Sequence, residues 1–306
     1  MKRDLISIVD VGREDLERYL ALAARVEALP VADKAKLLAG RVLGVLFFEP
    51  STRTRLSFET AMARLGGAVV GFAEATTASV AKGESLRDTA RTVERYADIL
   101  VIRHPREGAA RIVAEATHVP IINAGDGTNQ HPSQTLLDLY TLKKFFGRLD
   151  RLKIALAGDL KYSRTVHSLV QALALYEGVA FTMVSPPSLK LPAYLRETGA
   201  ASRCQFTETE SLDEVIKDCD VIYMTRVQKE RFPDLLEYEK VKDAYCINAE
   251  LLRGAPAHLR IMHPLPRVNE INPDVDDTPH AGYFEQVGIG ITVRQAILLD
   301  VLGVTP

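Results

Sequence analysis

The sequence has no tryptophan and only three cysteines, Cys204, Cys219 and Cys246, among its 306 residues. An odd number of cysteines without a Cys-x-x-Cys spacing is typical neither of a disulfide-stabilised secreted domain nor of a structural zinc site. We therefore expect no resident metal. A reducing, cytoplasmic setting is the simplest, with each cysteine a small buried apolar side chain.

The sequence also lacks an excess of either charge, because 38 lysines and arginines nearly balance 40 aspartates and glutamates. This balance argues against nucleic acid or an anionic membrane as a partner. No apolar stretch is long enough to cross a bilayer, and Asp4, Asp10 and Arg13 interrupt any apolar segment near the N-terminus, so we expect no signal peptide. An anion site must come from local clusters of cations.

Two glycine-rich nucleotide motifs are missing as well. The absence of Gly-x-x-x-x-Gly-Lys disfavours a P-loop, and the absence of Gly-x-Gly-x-x-Gly disfavours a Rossmann-type dinucleotide site. The length predicts two domains of about 150 residues each. Strand-like and helix-like runs alternate, which predicts an α/β fold of two domains, each with a mainly parallel sheet flanked by helices.

The predicted elements follow from apolar runs and helical periodicity. Strands are predicted at residues 42–48, 68–72, 99–102, 120–123, 153–157, 180–184, 204–207, 221–224, 244–247 and 260–262. Helices are predicted at residues 15–26, 132–146, 164–176, 193–197, 212–217 and 283–302, besides one that follows residue 52.

One segment carries the clearest chemistry. Between a predicted strand and a predicted helix stand hydroxyl and arginine side chains: Ser51, Thr52, Arg53, Thr54 and Arg55. A helix start offers unpaired N–H groups and the positive end of the macrodipole, and hydroxyls and guanidinium groups add further donors. Open α/β sheets place ligands at the carboxyl ends of their strands. The segment therefore predicts a phosphate site.

This segment resembles the carbamoyl-phosphate signature of the transcarbamoylases. Further matching motifs occur in the family's order over essentially the whole chain, at residues 79–84, 101–105, 131–134, 158–165, 224–231 and 263–267. The ornithine-specific members carry His-Cys-Leu-Pro and Ser-Met-Gly segments. This chain has His263-Pro264-Leu265-Pro266 and lacks Ser-Met-Gly, so it is similar to the aspartate-specific members.

The resemblance implies a reaction. The carbamoyl group of carbamoyl phosphate passes to the amino group of L-aspartate and gives N-carbamoyl-L-aspartate and phosphate, a step of de novo pyrimidine biosynthesis. It implies no cofactor and no covalent enzyme intermediate, because phosphate is already a good leaving group. Positioning and charge stabilisation would supply the catalysis.

The resemblance also implies roles for individual residues. The phosphate would be held by Ser51, Thr52, Arg53 and Thr54, and the carbonyl oxygen would face Thr54, Arg103 and His131. Gln134 would contact the amide end. Arg226 and Gln228 would bind the β-carboxylate of aspartate, Arg164 the α-carboxylate, and the backbone of Leu265 and Pro266 would meet the substrates from the remaining side. His104, His167 and His263 receive no catalytic role.

Two further expectations concern subunits and motion. In the family a loop reaches into the neighbouring subunit's site, and here Ser79 and Lys82 would make those contacts, with Thr77 as an alternative to Ser79. A complete site would then need a homo-oligomer, in the family a homotrimer with shared active sites. Glu49 is expected to pair with Arg164 and Arg231 when the two domains close.

The family arrangement predicts a carbamoyl-phosphate domain at residues 1–131 and 288–306 and an aspartate domain at residues 132–287. A regulatory chain or another pathway enzyme stays open as a partner. Three alternative functions also stay open: a transcarbamoylase for another amine, a Rossmann-type nucleotide enzyme, and an anion-binding protein without activity.

Overall fold

A computed structural model of the chain describes residues 2–73, 83–229, 232 and 234–306. The chain divides into two compact units: unit 1 comprises Met1–Tyr140 and Gly288–Pro306, and unit 2 comprises Thr141–Val287. The limits 1–131, 132–287 and 288–306 stay predictions. The compact units meet in the sequence inside a long helix, at residues 140 and 141, and again at residues 287 and 288.

The structure contains helices and strands in alternation along most of the chain. The helices are α1 Arg13–Ala28, α2 Val31–Lys34, α3 Thr52–Arg64, α4 Leu86–Val93, α5 Ala109–Ala116, α6 Pro132–Phe146, α7 Arg164–Leu173, α8 Tyr194–Glu197, α9 Leu212–Val215, α10 Leu235–Val241 and α11 Tyr283–Val301. The strands are β1 Val42–Phe47, β2 Ala68–Phe72, β3 Ile99–His104, β4 Ile121–Asp126, β5 Lys153–Ala157, β6 Ala180–Val184, β7 Gln205–Thr209, β8 Val221–Met224 and β9 Arg260–Met262.

Unit 1 is built on a four-stranded parallel sheet in the order β2-β1-β3-β4. Its central strands are continuous apolar runs, as expected for a sheet covered on both faces. One face packs in a core cluster that includes Leu46, Leu100, Ile102, Val113 and Ile121. The chain leaves β1 for β2 on one side and returns to β3 on the other, so the direction of strand order reverses between β1 and β3.

Unit 2 is built on a five-stranded parallel sheet in the order β7-β6-β5-β8-β9. Its core cluster includes Ala155, Ile222, Met224, Ile261 and Tyr283. Here the strand order reverses between β5 and β8. In open α/β sheets such a reversal leaves a crevice at the carboxyl ends of the two strands, and ligands bind there.

The predicted fold class is confirmed: both sheets are parallel and flanked by helices. The predicted strand at residues 244–247 is wrong. Ile247 makes only a single bridge with Ile271, although its side chain is fully buried in the core of unit 2. A short apolar run indicates burial more reliably than it indicates a strand.

The cysteines differ from one another in burial. Cys219 is buried as predicted, but Cys246 is exposed, so the prediction that every cysteine is buried is wrong. Within residues 2–73, 83–229, 232 and 234–306, no helix combines the length and the apolar character needed to span a bilayer.

Candidate active site

The phosphate segment lies where the sequence places it, between β1 and α3. Ser51 is the N-cap residue of α3, in an extended conformation, and its side chain does not cap the helix. The first turn of α3 contains no acidic residue. Thr54 is buried, whereas Thr52 and Arg53 are exposed. A helix start with hydroxyl and guanidinium groups and no carboxylate favours a bound anion.

Arg103 joins this segment through the sheet. In the β1–β3 register Phe47 is opposite Arg103, and the Phe48 N–H donates to the Arg103 carbonyl at 2.8 Å. The Arg103 Nε lies 2.8 Å from Glu49 Oε1, and each of these two side chains is only 17% exposed. The ion pair holds the guanidinium at the carboxyl end of the sheet. The predicted partners of Glu49 were Arg164 and Arg231, of which Arg231 lies outside the described residues.

His131 follows β4 and immediately precedes α6. The loop that carries it is fixed by Asp126, whose carboxylate accepts from the N–H groups of Gly108 at 2.8 Å and Gln130 at 3.1 Å and from the Asn123 side chain at 2.9 Å. His131 is 4% exposed. Its ring therefore sits in a loop whose backbone is tied to both neighbouring segments.

Gln134 lies in the first turn of α6, and its Nε2 donates to Asp138 Oδ1 at 2.9 Å. Behind this pair Arg294 of α11 is almost completely buried and donates to Ser57 Oγ at 2.8 Å. Burial lowers the pKa of Arg294 to about 10, while the charge of Asp138 opposes the shift. A polar network that sequence reasoning missed thus lies behind α3 and α6 in unit 1, and its members are too distant in sequence to show a motif.

In unit 2 the reversal between β5 and β8 carries the second set of predicted residues. Gly158 follows β5 with φ near +105°, and a Cβ there would lie 2.1 Å from the Thr225 carbonyl oxygen. Thr225 follows β8, and its N–H donates to the Ala157 carbonyl at 2.9 Å. Glycine is therefore required where the two loops pass.

Asp159 ties these two loops together. Its Oδ1 accepts from the Tyr162 N–H at 2.9 Å, and it is fully buried. Burial raises the pKa of Asp159 to about 6, although the N–H groups of Tyr162, Gln228 and Lys161 and the charge of Arg226 favour the carboxylate. Sequence reasoning gave Asp159 no role. The available signal was one acidic residue at a strand end inside a basic loop.

The predicted carboxylate-binding residues surround Asp159 in sequence and in structure. Arg164 is the first residue of α7, and Arg226 and Gln228 follow β8. All three are partly buried. The Gln228 Nε2 lies 3.5 Å from the Tyr162 carbonyl oxygen, at the limit of a hydrogen bond. The sheet thus brings Arg226 and Gln228 beside the loop that leads to Arg164.

Leu265 and Pro266 follow β9, the neighbour of β8. Leu265 has a left-handed φ of 52°, and the bond to Pro266 is cis. The Leu265 N–H donates to His263 Nδ1 at 2.7 Å. Pro266 is exposed. The Pro266 carbonyl group therefore lies in an accessible loop, whose backbone is held at Leu265 by the hydrogen bond to His263.

Two predicted residues, Ser79 and Lys82, lie outside the described residues, as does Thr77. In the part of the chain that the structure describes, no group of three or more His, Cys, Asp or Glu side chains is arranged to hold a metal ion. The described residues offer donors for a phosphate and a carbonyl oxygen in unit 1 and donors for carboxylates in unit 2.

Comparisons with known proteins agree with this division of chemistry. Residues 3–144 match the carbamoyl-phosphate-binding domain of the aspartate/ornithine carbamoyltransferases. Residues 150–301 match the aspartate/ornithine-binding domain of the same family.

Individual relatives are similar over nearly their whole length. The aspartate carbamoyltransferase catalytic subunit of Thermococcus onnurineus is 55% identical over 99% of this chain and 97% of its own. The crystallised catalytic subunit of M. jannaschii aspartate transcarbamoylase has a TM-score of 0.91 at 55% identity, covering 99% of this chain and 98% of its own. The Trypanosoma cruzi enzyme in complex with carbamoyl phosphate and aspartate has a TM-score of 0.91 at 39% identity, covering 97% and 96%. The chain belongs to the aspartate/ornithine carbamoyltransferase family.

Proposed function

We propose that the chain transfers the carbamoyl group of carbamoyl phosphate to the α-amino group of L-aspartate, giving N-carbamoyl-L-aspartate and phosphate in de novo pyrimidine biosynthesis. One observation carries the proposal. In each unit the strand order reverses once, and the two loops at that reversal bear the arginine, hydroxyl and amide groups that the substrates need.

Unit 1 would bind carbamoyl phosphate. The first turn of α3 with Ser51, Thr52, Arg53 and Thr54 holds the phosphate dianion, because N–H groups, hydroxyls and a guanidinium group all donate to its oxygens. The register of Arg103 beside Phe47 supports a place for its guanidinium next to the carbonyl group of the same substrate.

His131 and Gln134 would complete this set. With Thr54 and Arg103, His131 donates to the carbonyl oxygen, and Gln134 contacts the amide. Asp138 orients the Gln134 carboxamide by accepting from its Nε2, which leaves the Gln134 carbonyl oxygen directed to accept from the substrate amide.

Unit 2 would bind aspartate. Arg226 and Gln228 take the β-carboxylate and Arg164 the α-carboxylate. A charge-assisted hydrogen bond is typically worth about 1.5–3 kcal/mol, so two arginines discriminate strongly for a dicarboxylate. Ornithine would bring a cationic side chain to Arg226, and this repulsion excludes it.

The chemistry is attack of the neutral α-amino group on the carbonyl carbon. The C–N bond forms first and gives a tetrahedral species; the C–O bond to phosphate then breaks, and the departing phosphate accepts a proton from the amine. The carbonyl oxygen becomes negative in the tetrahedral transition state. Preorganised donors from Thr54, Arg103 and His131 stabilise it, and removal of one such donor typically costs a factor of about 100–1000 in turnover.

The finer proposals concern the assembly. Ser79 and Lys82 would complete a neighbouring subunit's site, which makes the enzyme a homotrimer with shared active sites in the cytoplasm. Relatives described as catalytic subunits support a regulatory chain as a further partner. These assignments rest on the family resemblance.

A colorimetric assay for carbamoyl aspartate tests the function. The purified chain should form product from carbamoyl phosphate with aspartate, but not with ornithine or putrescine. Mass measurement in solution should give three times 33.8 kDa for the catalytic chain alone. Carbamoylation of another amine at a higher kcat/KM than aspartate would overturn the substrate assignment, and a monomer with full activity would overturn the shared site.

A further inference from the structure

His263 is the most deeply buried histidine that the proposed mechanism does not use. It follows β9 and is 1% exposed. Its backbone N–H donates to the Gln286 side chain at 2.9 Å. Both ring nitrogens are engaged: Nδ1 lies 2.7 Å from the Leu265 N, and Nε2 lies 2.8 Å from Glu270 Oε1. A ring held in this way has a defined orientation and a defined proton position.

The partners determine which nitrogen carries the proton. The Leu265 N–H can only donate, so His263 Nδ1 must accept and is unprotonated. The proton then resides on Nε2, which donates to the Glu270 carboxylate. Protonation of both nitrogens would place the Nδ1 proton against the Leu265 N–H. The neutral tautomer with the proton on Nε2 is the one that satisfies both of these ring contacts.

Glu270 is itself fixed. Its second oxygen, Oε2, accepts from the N–H groups of Val268 and Asn269, each at 3.1 Å. Burial raises the pKa of Glu270, but the hydrogen bond from His263 and the N–H groups of Glu270 itself and of Val268 lower it by more, so the carboxylate is the stable form. The carboxylate thus closes a ring of hydrogen bonds around residues 263–270.

The residue that His263 holds is under strain. Leu265 has a φ of 52°, a left-handed conformation that is strained for a non-glycine residue and persists only where its surroundings enforce it. Its N–H is the group that His263 accepts. Because Pro264 and Pro266 have no N–H, the Leu265 N–H is the only backbone donor in residues 264–266.

A related contact occurs at another loop of the proposed site. His167 Nε2 lies 2.9 Å from the Leu160 carbonyl oxygen, in the loop that leads to Arg164. His263 differs from His167 in that its Nε2 contacts a buried carboxylate, Glu270, while its Nδ1 accepts from a backbone N–H.

We propose that His263 and Glu270 form a positioning pair, in which Glu270 fixes the tautomer of His263 so that Nδ1 holds the Leu265–Pro266 backbone in its substrate-binding conformation. This inference rests on the proposed contact between that backbone and the substrates. Both side chains are buried, 1% exposed for His263 and 9% for Glu270, and we assign neither a contact with substrate or with the reacting atoms.

Two substitutions of His263 separate the contacts. The Asn side chain can place its carbonyl oxygen near the Nδ1 position, so His263→Asn keeps the acceptor for Leu265 and loses the donor to Glu270. The longer Gln side chain can place its amide near the Nε2 position, so His263→Gln keeps the contact with Glu270 and leaves Leu265 without an acceptor. Glu270→Gln offers an NH2 group to the ring and favours the tautomer that cannot accept from Leu265.

Steady-state kinetics should distinguish the variants. His263→Gln and Glu270→Gln should raise the KM for aspartate about tenfold or more, the size of one lost hydrogen bond, whereas His263→Asn should stay within about threefold of the parent. Carbamoyl phosphate affinity, measured by calorimetry, should change less than the KM for aspartate, because apart from the Leu265–Pro266 backbone its predicted contacts lie in unit 1. The exposed His118→Gln variant, 92% of whose side chain is accessible, is the matched control.

Hydrogen exchange gives a readout independent of turnover. A peptide covering residues 264–267 reports only the Leu265 and Arg267 amides, because its other residues are prolines. The Leu265 amide should exchange at least about tenfold faster in His263→Gln and Glu270→Gln than in His263→Asn. Equal exchange and equal KM values in His263→Gln and His263→Asn would overturn the proposal. Absence of product from the parent and His118→Gln would instead overturn the proposed function.

Discussion

The two units share one sheet topology but carry different side chains at the carboxyl ends of their strands. Each has a parallel sheet whose strand order reverses once, between β1 and β3 in unit 1 and between β5 and β8 in unit 2. In each, a helix starts after the first of these strands, and an arginine lies at the carboxyl end of the second: Arg103 immediately before His104, the last residue of β3, and Arg226 two residues after β8. In both units the proposed ligand-binding residues therefore lie where the strand order reverses, the position that open α/β sheets favour for ligands.

The difference lies in where the carboxylates are. The first turn of α3 in unit 1 has no acidic residue, and Glu49 is paired with Arg103. In unit 2 the buried Asp159 stands inside the loop that leads to α7 and accepts from its backbone. A phosphate dianion is stabilised by the positive end of the helix dipole, and a carboxylate in the first turn would weaken that stabilisation. An amino acid carries a cationic or neutral amine as well as carboxylates, so an acidic group that organises the loop is compatible with it.

The largest expected effect comes from Arg53→Ala in unit 1. Turnover should fall by roughly a factor of a thousand, because the guanidinium stabilises charge that develops on the departing phosphate. The thermal midpoint should hardly change, since Arg53 is exposed. Arg64→Ala, an exposed arginine in the last turn of the same helix, is the control. Turnover within tenfold of the parent would contradict the assignment of unit 1 to phosphate.

Arg226→Ala tests unit 2 in the same way. The KM for aspartate should rise by about ten- to a hundredfold, the range for one lost charge-assisted hydrogen-bonded contact, while carbamoyl phosphate affinity is retained. Arg253→Ala, an exposed arginine of the same unit, should behave like the parent. If carbamoyl phosphate binding weakened and aspartate saturation were retained, the division of substrates between the units would be reversed.

Much of the fold was accessible from the sequence because parallel strands are continuous apolar runs. The strands at Lys153–Ala157 and Val221–Met224 and helix α6 have the predicted bounds. Helices α4 and α5 were missed, because the residues that they bury are mostly alanine or threonine and give little apolar periodicity.

The site residues likewise fall into those that a local motif indicates and those that only long-range contacts bring together. Arg53 and Arg226 were predicted because contiguous motifs contain them. The Glu49–Arg103 ion pair depends on the register that sets Phe47 opposite Arg103, and this register is a long-range property of the sheet. The contact of Arg294 with Ser57 joins residues 237 positions apart, so no local pattern indicates it.

Asp159→Asn probes the buried carboxylate that distinguishes unit 2. The pKa of Asp159 is about 6 in the folded chain and about 3.9 in an unfolded one, so between these values the folded chain binds more protons and its stability falls as pH rises. Relative to Asp159→Asn, the parent should lose up to about 3 kcal/mol between pH 4 and pH 7. Denaturant unfolding at several pH values measures this.

The control for that experiment is Asp33→Asn, which removes an exposed carboxylate paired with Lys36 in unit 1. It should leave the pH dependence of the parent unchanged. If Asp159→Asn showed the same slope of stability against pH as the parent, the buried carboxylate would not be the source of the difference between the units.

The smallest expected effect is that of Glu49→Gln, which asks whether the acidic residue of unit 1 serves its own unit. The structure pairs Glu49 with Arg103, so loss of the charge should weaken carbamoyl phosphate binding by about three- to tenfold while the KM for aspartate stays the same, because a partly solvated ion pair contributes about 1 kcal/mol. Glu14→Gln, an exposed site on α1, is the control.

The family resemblance predicts instead that Glu49 pairs with Arg164 and Arg231 during domain closure. In that case the KM for aspartate would rise and turnover would fall with carbamoyl phosphate affinity unchanged, so calorimetry of carbamoyl phosphate beside aspartate saturation separates a residue that orients Arg103 from one that links the two units.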